Sequence, residues 1–178
     1  MNFAVITAIG TYRIGIVDDI SNELLKWSCN VEESRMAVLG GEFAIILLVS
    51  GEEAAVEKLI AGASSLGDEL GLHITAKSTA PEHPDSDLRP YFIESVSLDT
   101  PGIVHSITSI LRRNSISIHD LETDTSSAPW TGASMFVMKA RIGIPASVSI
   151  ADLREELDDA AGKWDLDVRM TPIGPGGP

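Results

Sequence analysis

Four histidines, one cysteine and an excess of carboxylates are the side chains of this 178-residue chain that could do acid–base or metal chemistry. Their spacing limits what they can do. His119 and Asp120, followed by Glu122, offer metal ligands or a proton shuttle to a small enzyme, but alternation along a strand would send His119 and Asp120 to opposite faces. His105 falls on a helix face, His73 near a strand start and His83 in a proline-rich stretch, all positions of solvated or hydrogen-bonded imidazoles. Glu155, Glu156, Asp158 and Asp159 read as a solvated helix face, because the apolar stripe of that helix runs through Ile150, Leu153 and Leu157. No P-loop, HExxH, CxxC or GxSxG occurs. Cys29 has no second thiol for an intrachain disulfide or a metal pair, so a cytoplasmic setting is expected, with no catalytic residue, metal site or cofactor.

A duplicated turn is the more informative pattern. Ile14-Gly15-Ile16-Val17 recurs as Pro101-Gly102-Ile103-Val104, an offset of 87 residues that also aligns Ile20 with Ile107, Leu24 with Leu111 and Val31 with Ile118. Each copy closes a strand-like run and opens a helix-like one. A helix N-terminus leaves backbone N–H groups unpaired and carries partial positive charge, so it can receive a carboxylate. Gly15 and Gly102 would let a ligand approach the backbone without a Cβ in the way. Asp99, three residues before Gly102, can either cap that helix or bind an ammonium group. The second role would make the site dipolar, the charge pattern of a free amino acid.

The elements that must position these turns repeat as well. In the first half, strands are expected at Phe3–Ile9, Val31–Leu39, Phe43–Val49 and Leu72–Lys77, the second of them an edge strand. One helix has the stripe Val17, Ile20, Leu24 and Trp27; the other starts at a capping box of Ser50 and Glu53 and continues through Val56, Leu59, Ile60, Ala63 and Leu66. Gly40-Gly41 offers a hairpin turn. The second half repeats the order with strands Tyr91–Leu98, Ile116–Thr123, Ala133–Ile142 and Leu166–Thr171 and helices Pro101–Arg113 and Ile150–Gly162, but its hairpin loop is longer, Ser126 to Gly132. The fold class is therefore α+β: two βαββαβ units, each an antiparallel four-stranded sheet with two helices on one face. The expected domains are 1–77 and 91–172, joined by a proline-rich linker at 78–90 and followed by a disordered tail at 173–178. Acidic residues outnumber basic ones 26 to 13, for a net charge of −13, which disfavours direct nucleic-acid binding. The apolar start, Met1 to Ile9, lacks a basic flank and is too short for a signal peptide or membrane span.

At these residues the chain resembles a tandem ACT-domain protein, and more narrowly the glycine cleavage system transcriptional repressor family. The βαββαβ order and the glycine-containing first turn carry the wider resemblance through both ferredoxin-like units. Ile6-Thr7-Ala8, Arg13, Gly15-Ile16-Val17 and the block from Cys29 to Phe43 carry the narrower one. The resemblance implies a non-enzymatic regulator that binds a small amino acid, glycine or serine first, beside the first strand-to-helix loop at an interface between ACT units. It also implies action through a protein partner, a DNA-binding activator, rather than on DNA, and a homodimer. The residues carried over are Tyr12, Arg13, Gly15 and Ile16 in the first turn, Asp99, Pro101, Gly102 and Ile103 in the second, and Asn30 at the start of the second strand. The family's first turn resembles Asp-Arg-Pro-Gly, whereas this chain has Tyr12-Arg13-Ile14-Gly15; Asp99-Thr100-Pro101-Gly102 keeps both the acid and the proline, which makes the second turn the better candidate. A ligand-free interaction adaptor, or a small enzyme using His119, are the alternatives.

Overall fold

The computed structural model describes residues 1–80, 87–128 and 132–174. Expectations for residues 81–86, 129–131 and 175–178, including His83, the middle of the linker, the centre of the long hairpin and the end of the tail, lie outside the described residues. The chain divides into two compact units, 1–83 and 84–178. The first runs β1 (Asn2–Thr11), α1 (Ile16–Lys26), β2 (Asn30–Leu39), β3 (Glu42–Gly51), α2 (Glu53–Leu70) and β4 (His73–Thr79). The second runs β5 (Leu88–Leu98), α3 (Ile103–Arg113), β6 (Ser117–Ser127), β7 (Ser134–Pro145), α4 (Ile150–Trp164) and β8 (Leu166–Pro172). The sheet orders are β2-β3-β1-β4 and β6-β7-β5-β8, and every paired neighbour is antiparallel.

Alternation builds the first core. Ala4, Ile6 and Ala8 on β1 and Phe43, Ile45, Leu47 and Val49 on β3 point to one face, where Ile20 and Leu24 of α1 and Val56, Leu59 and Leu66 of α2 bury them. The second core has the same plan around Ile93, Met138, Ala140, Ile142, Ile107, Leu111, Leu153 and Leu157. Gly40 and Gly41, with φ of +61° and +86°, make the two-residue hairpin between Leu39 and Glu42, a turn that needs positive φ at both centres.

Four expectations are corrected here. The α1 stripe is Ile16, Ile20 and Leu24, and Val17 faces solvent, because the row from Ile16 lies over the sheet. The Ser50–Glu53 capping box does not form: Ser50 stays in β3, and Glu52 takes the N-cap position without a side-chain cap bond. Strand occupies both ends of the expected 78–90 linker, since β4 pairs as far as Thr79 with Phe3 and β5 begins at Leu88. Arg89 pins that beginning by donating to the carbonyls of Pro145 and Val148.

The fourth correction concerns a bulge repeated in both edge strands, between Val31 and Glu33 and between Ile118 and Asp120. The extra residue is Glu32 in one unit and His119 in the other. Glu32 accepts hydrogen bonds from the buried hydroxyl of Ser50 and from Nδ2 of Asn30 at 3.0 Å. The His119 ring lies 3.3 Å from Ser117 Oγ and over Gly143, where a Cβ would stand 2.6 Å from Nε2. Asp120 pairs with Arg141 on the face shared by Ser117 and Gly143, so the bulge puts His119 and Asp120 on one face where strict alternation would separate them.

Two outcomes test this packing. Gly67 sits in α2 where a Cβ would approach the backbone oxygen of Leu72 to 2.5 Å. Alanine gains about 1 kcal/mol of helix propensity, but overpacking costs about 1–3 kcal/mol and the obstacle is rigid backbone, so Gly67→Ala should lower the urea midpoint. The hydrogen bonds from Ser50 and then Asn30 hold the Glu32 carboxyl below the ordinary glutamate value of 4.5. A carboxyl whose folded value is depressed adds stability above its unfolded value and loses it as pH falls through the folded one. Urea midpoints measured from pH 6 downward should therefore fall less steeply below about pH 4.5 in Glu32→Gln than in the parent; equal slopes would remove Glu32 from the acid response.

Candidate functional site

Both strand-to-helix turns are built the same way. Gly15 and Gly102 adopt left-handed φ of +89° and +104° as N-caps of α1 and α3, and neither helix receives a side-chain cap bond. The first helical bonds run from Asp19 N to Gly15 O and from Ser106 N to Gly102 O, both 2.9 Å. The amides preceding Asp19 and Ser106 in each helix therefore have no intrahelical acceptor. Each turn is also tied to the hairpin beside it, by Tyr12 N to Gly41 O at 3.0 Å and by Asp99 N to Ser134 O at 2.9 Å.

Electrostatics separates the two. The first turn of α1 carries Asp18 and Asp19, and Arg13 forms an ion pair with Asp19, so the positive helix end is already matched by acids of the chain. Ile16, expected at the site, is buried in the core instead. Tyr12, Arg13 and Gly15 are exposed, and nothing lies within 4 Å of where a Gly15 Cβ would be. The first turn of α3 has no acid, and Arg112 and Arg113 occupy its last turn. Asp99 is exposed and does not cap α3, which closes one of the two roles open to it.

A cavity of about 570 Å³ opens at this second turn. Asp99, Thr100, Pro101, Gly102 and Ile103 line it together with Val104, His105, Thr108 and Phe136. Asp99, Pro101, Gly102 and Ile103 are thus brought together as the sequence indicated. Phe136 comes from β7, where no local pattern points to the turn; its register opposite Ser97 places it there. Thr108 is spent on the backbone, its hydroxyl donating to Val104 O at 2.8 Å. The free side of Gly102 is not open to a ligand as the sequence reading had it: a Cβ there would lie 3.1 Å from Cη2 of Trp164.

Asn30 lies elsewhere in its own unit. Asn30 and Phe3 both pair with Ser50, while Thr11, which leads into the turn, pairs with Glu42. The strand between those levels is on the order of 25 Å long at about 3.3 Å per residue, so Asn30 and the Tyr12–Gly15 turn occupy opposite ends of one sheet. Among the described residues no cluster of three His, Cys, Asp or Glu side chains is arranged to hold a metal, and His119 is engaged with Ser117. Burial pushes the Cys29 thiol up from its ordinary value, away from the thiolate form. Also among the described residues, no helix is long and apolar enough to cross a membrane. Chemically, the second turn offers amide donors for a carboxylate and a carboxylate for a cation.

Comparison with known proteins bears on the fold. Residues 2–77 match the family model of the ACT domain. The chain is 29% identical over 154 residues to the glycine cleavage system transcriptional repressor of Escherichia coli K12, covering 86% of this chain and 81% of that one. A UPF0237 protein of Methanopyrus kandleri is 40% identical over 76 residues, 42% of this chain and 84% of its own. The crystal structure of an unknown protein from Galdieria sulphuraria superposes with a TM-score of 0.83 at 30% identity, covering 97% of this chain and 99% of that one. The first unit thus matches the ACT-domain family over residues 2–77, the second repeats its sheet order, and the chain as a whole is similar to the glycine cleavage system transcriptional repressor.

Proposed function

We propose that this chain is a non-enzymatic regulatory protein that binds a small amino acid at the Asp99–Ile103 turn and thereby changes its affinity for a protein partner. The observation that carries the reading is the pairing, across one cavity, of the Asp99 carboxylate with the uncapped, acid-free N-terminus of α3. An α-carboxylate fits the amides and an α-ammonium fits Asp99. Glycine, in keeping with the name of the Escherichia coli relative, and serine are the first candidates to test. The name of the Escherichia coli relative supports a role in transcriptional control, and the net charge of −13 supports a protein partner rather than DNA as the direct target. In this reading the protein works in the cytoplasm as a homodimer, with the folded elements of its two domains at 2–79 and 88–172. Coupling requires only that the ligand prefer one of the free and partner-bound states, and it is reciprocal.

Two experiments test it. A complete amino-acid panel should contain one or a few members that raise the melting temperature, since a ligand at 100 times its Kd adds about 2.7 kcal/mol. For such a ligand, Asp99→Asn should weaken binding by about tenfold or more, the loss of a charge-assisted hydrogen bond worth about 1.5–3 kcal/mol, while the melting curve stays close to the parent. Tyr12→Phe should change affinity little. Equal binding by Asp99→Asn together with lost binding by Tyr12→Phe would move the site to the first turn, and a silent panel would favour the ligand-free adaptor. Separately, the purified chain should leave duplex DNA unretarded at physiological salt, with retardation changing only when a DNA-binding regulator is added; tight, salt-sensitive retardation by the chain alone would contradict the reading.

A further inference from the structure

The two units close their helix pairs with different contacts. Leu59, Ala63 and Leu66 of α2 correspond to Leu153, Leu157 and Ala160 of α4, which makes Gly62 the counterpart of Glu156. In the first unit the ring of Trp27, at the end of α1, packs on Gly62, whose Cβ would stand 3.3 Å from it. In the second unit Asn114 takes the place of Trp27 and donates to Glu156 at 3.3 Å, and Arg113 donates to the same carboxylate at 3.2 Å. In the second unit a tryptophan packs instead at the other end of the helix pair. Trp164, the last residue of α4, lays its indole against Gly102, with Cη2, Cζ3 and Cζ2 at 3.1, 3.5 and 3.9 Å from where a Cβ would stand. Gly15, the counterpart of Gly102, has no such neighbour.

From this packing we propose that Trp164 is a positioning residue for the second turn: its indole fills the slot left by the missing Cβ, holds Gly102 at its left-handed φ, and so aims the amides at the head of α3. The role rests on the reading of that turn as a ligand site. Two features favour it over incidental surface packing. Gly102 carries the one left-handed φ between β5 and α3, so whatever fixes it fixes the direction of the amides that follow. Trp164 is also followed at once by Asp165, itself left-handed at φ +53°, and by Leu166, which pairs with Ser97 two residues before Asp99. The indole therefore closes a short ring, from Ser97 through the turn to Gly102, across to Trp164, and back through Leu166. A shift of the turn on ligand binding cannot leave the indole where it is.

The test uses the full chain with Trp27 and Trp130 replaced by phenylalanine, so that Trp164 is the only indole, with a melting curve to show that this background folds. In it, Gly102→Ala should change the Trp164 emission and its quenching by acrylamide, because the added methyl would stand 3.1 Å from the ring, which must give way, and strains the left-handed backbone on which the ring packs. Unchanged emission and quenching would mean that the indole does not occupy the slot, and the proposal would fall. In the native-tryptophan chain, calorimetric titration with glycine and with serine should show affinity reduced by about 2- to 30-fold in Trp164→Ala, the range of indirect coupling, and largely restored in Trp164→Phe, which keeps a ring in the slot. Parent-like affinity in Trp164→Ala would overturn the positioning role while leaving the ligand site intact. No heat from either amino acid with the parent, followed by a silent panel, would remove the ligand reading and the positioning role with it, whereas the emission result would still stand as a statement about the packing.

Discussion

Two layers of apolar side chains must leave water together in each unit, and the other features of the chain follow from how the backbone arranges this. Ala4, Ile6, Ala8, Phe43, Ile45, Leu47 and Val49 lie on one sheet face, and α1 and α2 cover them. A fully buried large apolar side chain is worth about 1.5–3 kcal/mol, well above the 0–1 kcal/mol or so of an exposed ion pair such as Arg35–Glu33. The chain must therefore reverse from β1 into α1, and from β5 into α3, within four residues. The left-handed φ at Gly15 and Gly102 makes that reversal possible. The exits match too: Ser28 and Ser115, both left-handed, send the chain from α1 and α3 into the edge strands. An uncapped helix N-terminus at one end of each sheet is a by-product of burying the core, and it is there to be used or neutralised.

The two units treat that by-product differently. In the first, Asp18, Asp19 and Arg13 surround the helix end with charges of the chain itself. In the second, the acid in the turn is Asp99, displaced to its strand side and free of a capping role, and Trp164 stiffens the glycine between it and the helix. The same backbone plan thus gives one turn that is electrostatically satisfied and one that is not. Duplication explains why both exist; divergence at a few positions, each too exposed to affect the core, explains why they differ.

The open sheet faces have diverged in parallel. Val5, Ile9, Ile46 and Leu48 share the open face of the first sheet with Lys77, Glu33 and Arg35, while Glu94, Lys139, Arg141 and Arg169 share that of the second with Phe92, Val96 and Val137, Lys139 and Glu94 being 4.0 Å apart. On both faces the apolar side chains gain from being covered, whereas the charged ones lose hydration if they are.

The order of elements was legible in the residues because it depends on local periodicity. Alternation in Phe43–Val49, the helical spacing of Val56 to Leu66, Gly40-Gly41 and the repeated Gly-Ile-Val each report a backbone geometry that neighbouring residues impose. Asp99, Pro101, Gly102 and Ile103 were legible as one group for the same reason, since a single turn holds them. What escaped depends on residues far apart in the chain. Phe136 reaches the cavity through its register against Ser97, and Trp164 reaches Gly102 because α4 packs antiparallel to α3. Ser50 gives its hydroxyl to Glu32 and not to a helix cap because the bulge in β2 brings that carboxylate across the strand pair. His119 and Asp120 share a face because the bulge in β6 interrupts an alternation that the sequence alone leaves unbroken. Local sequence fixes dihedral angles, and with them strands, helices and turns; which side chains meet is decided by the packing of those elements, through pairing registers and helix contacts that no short stretch of residues encodes.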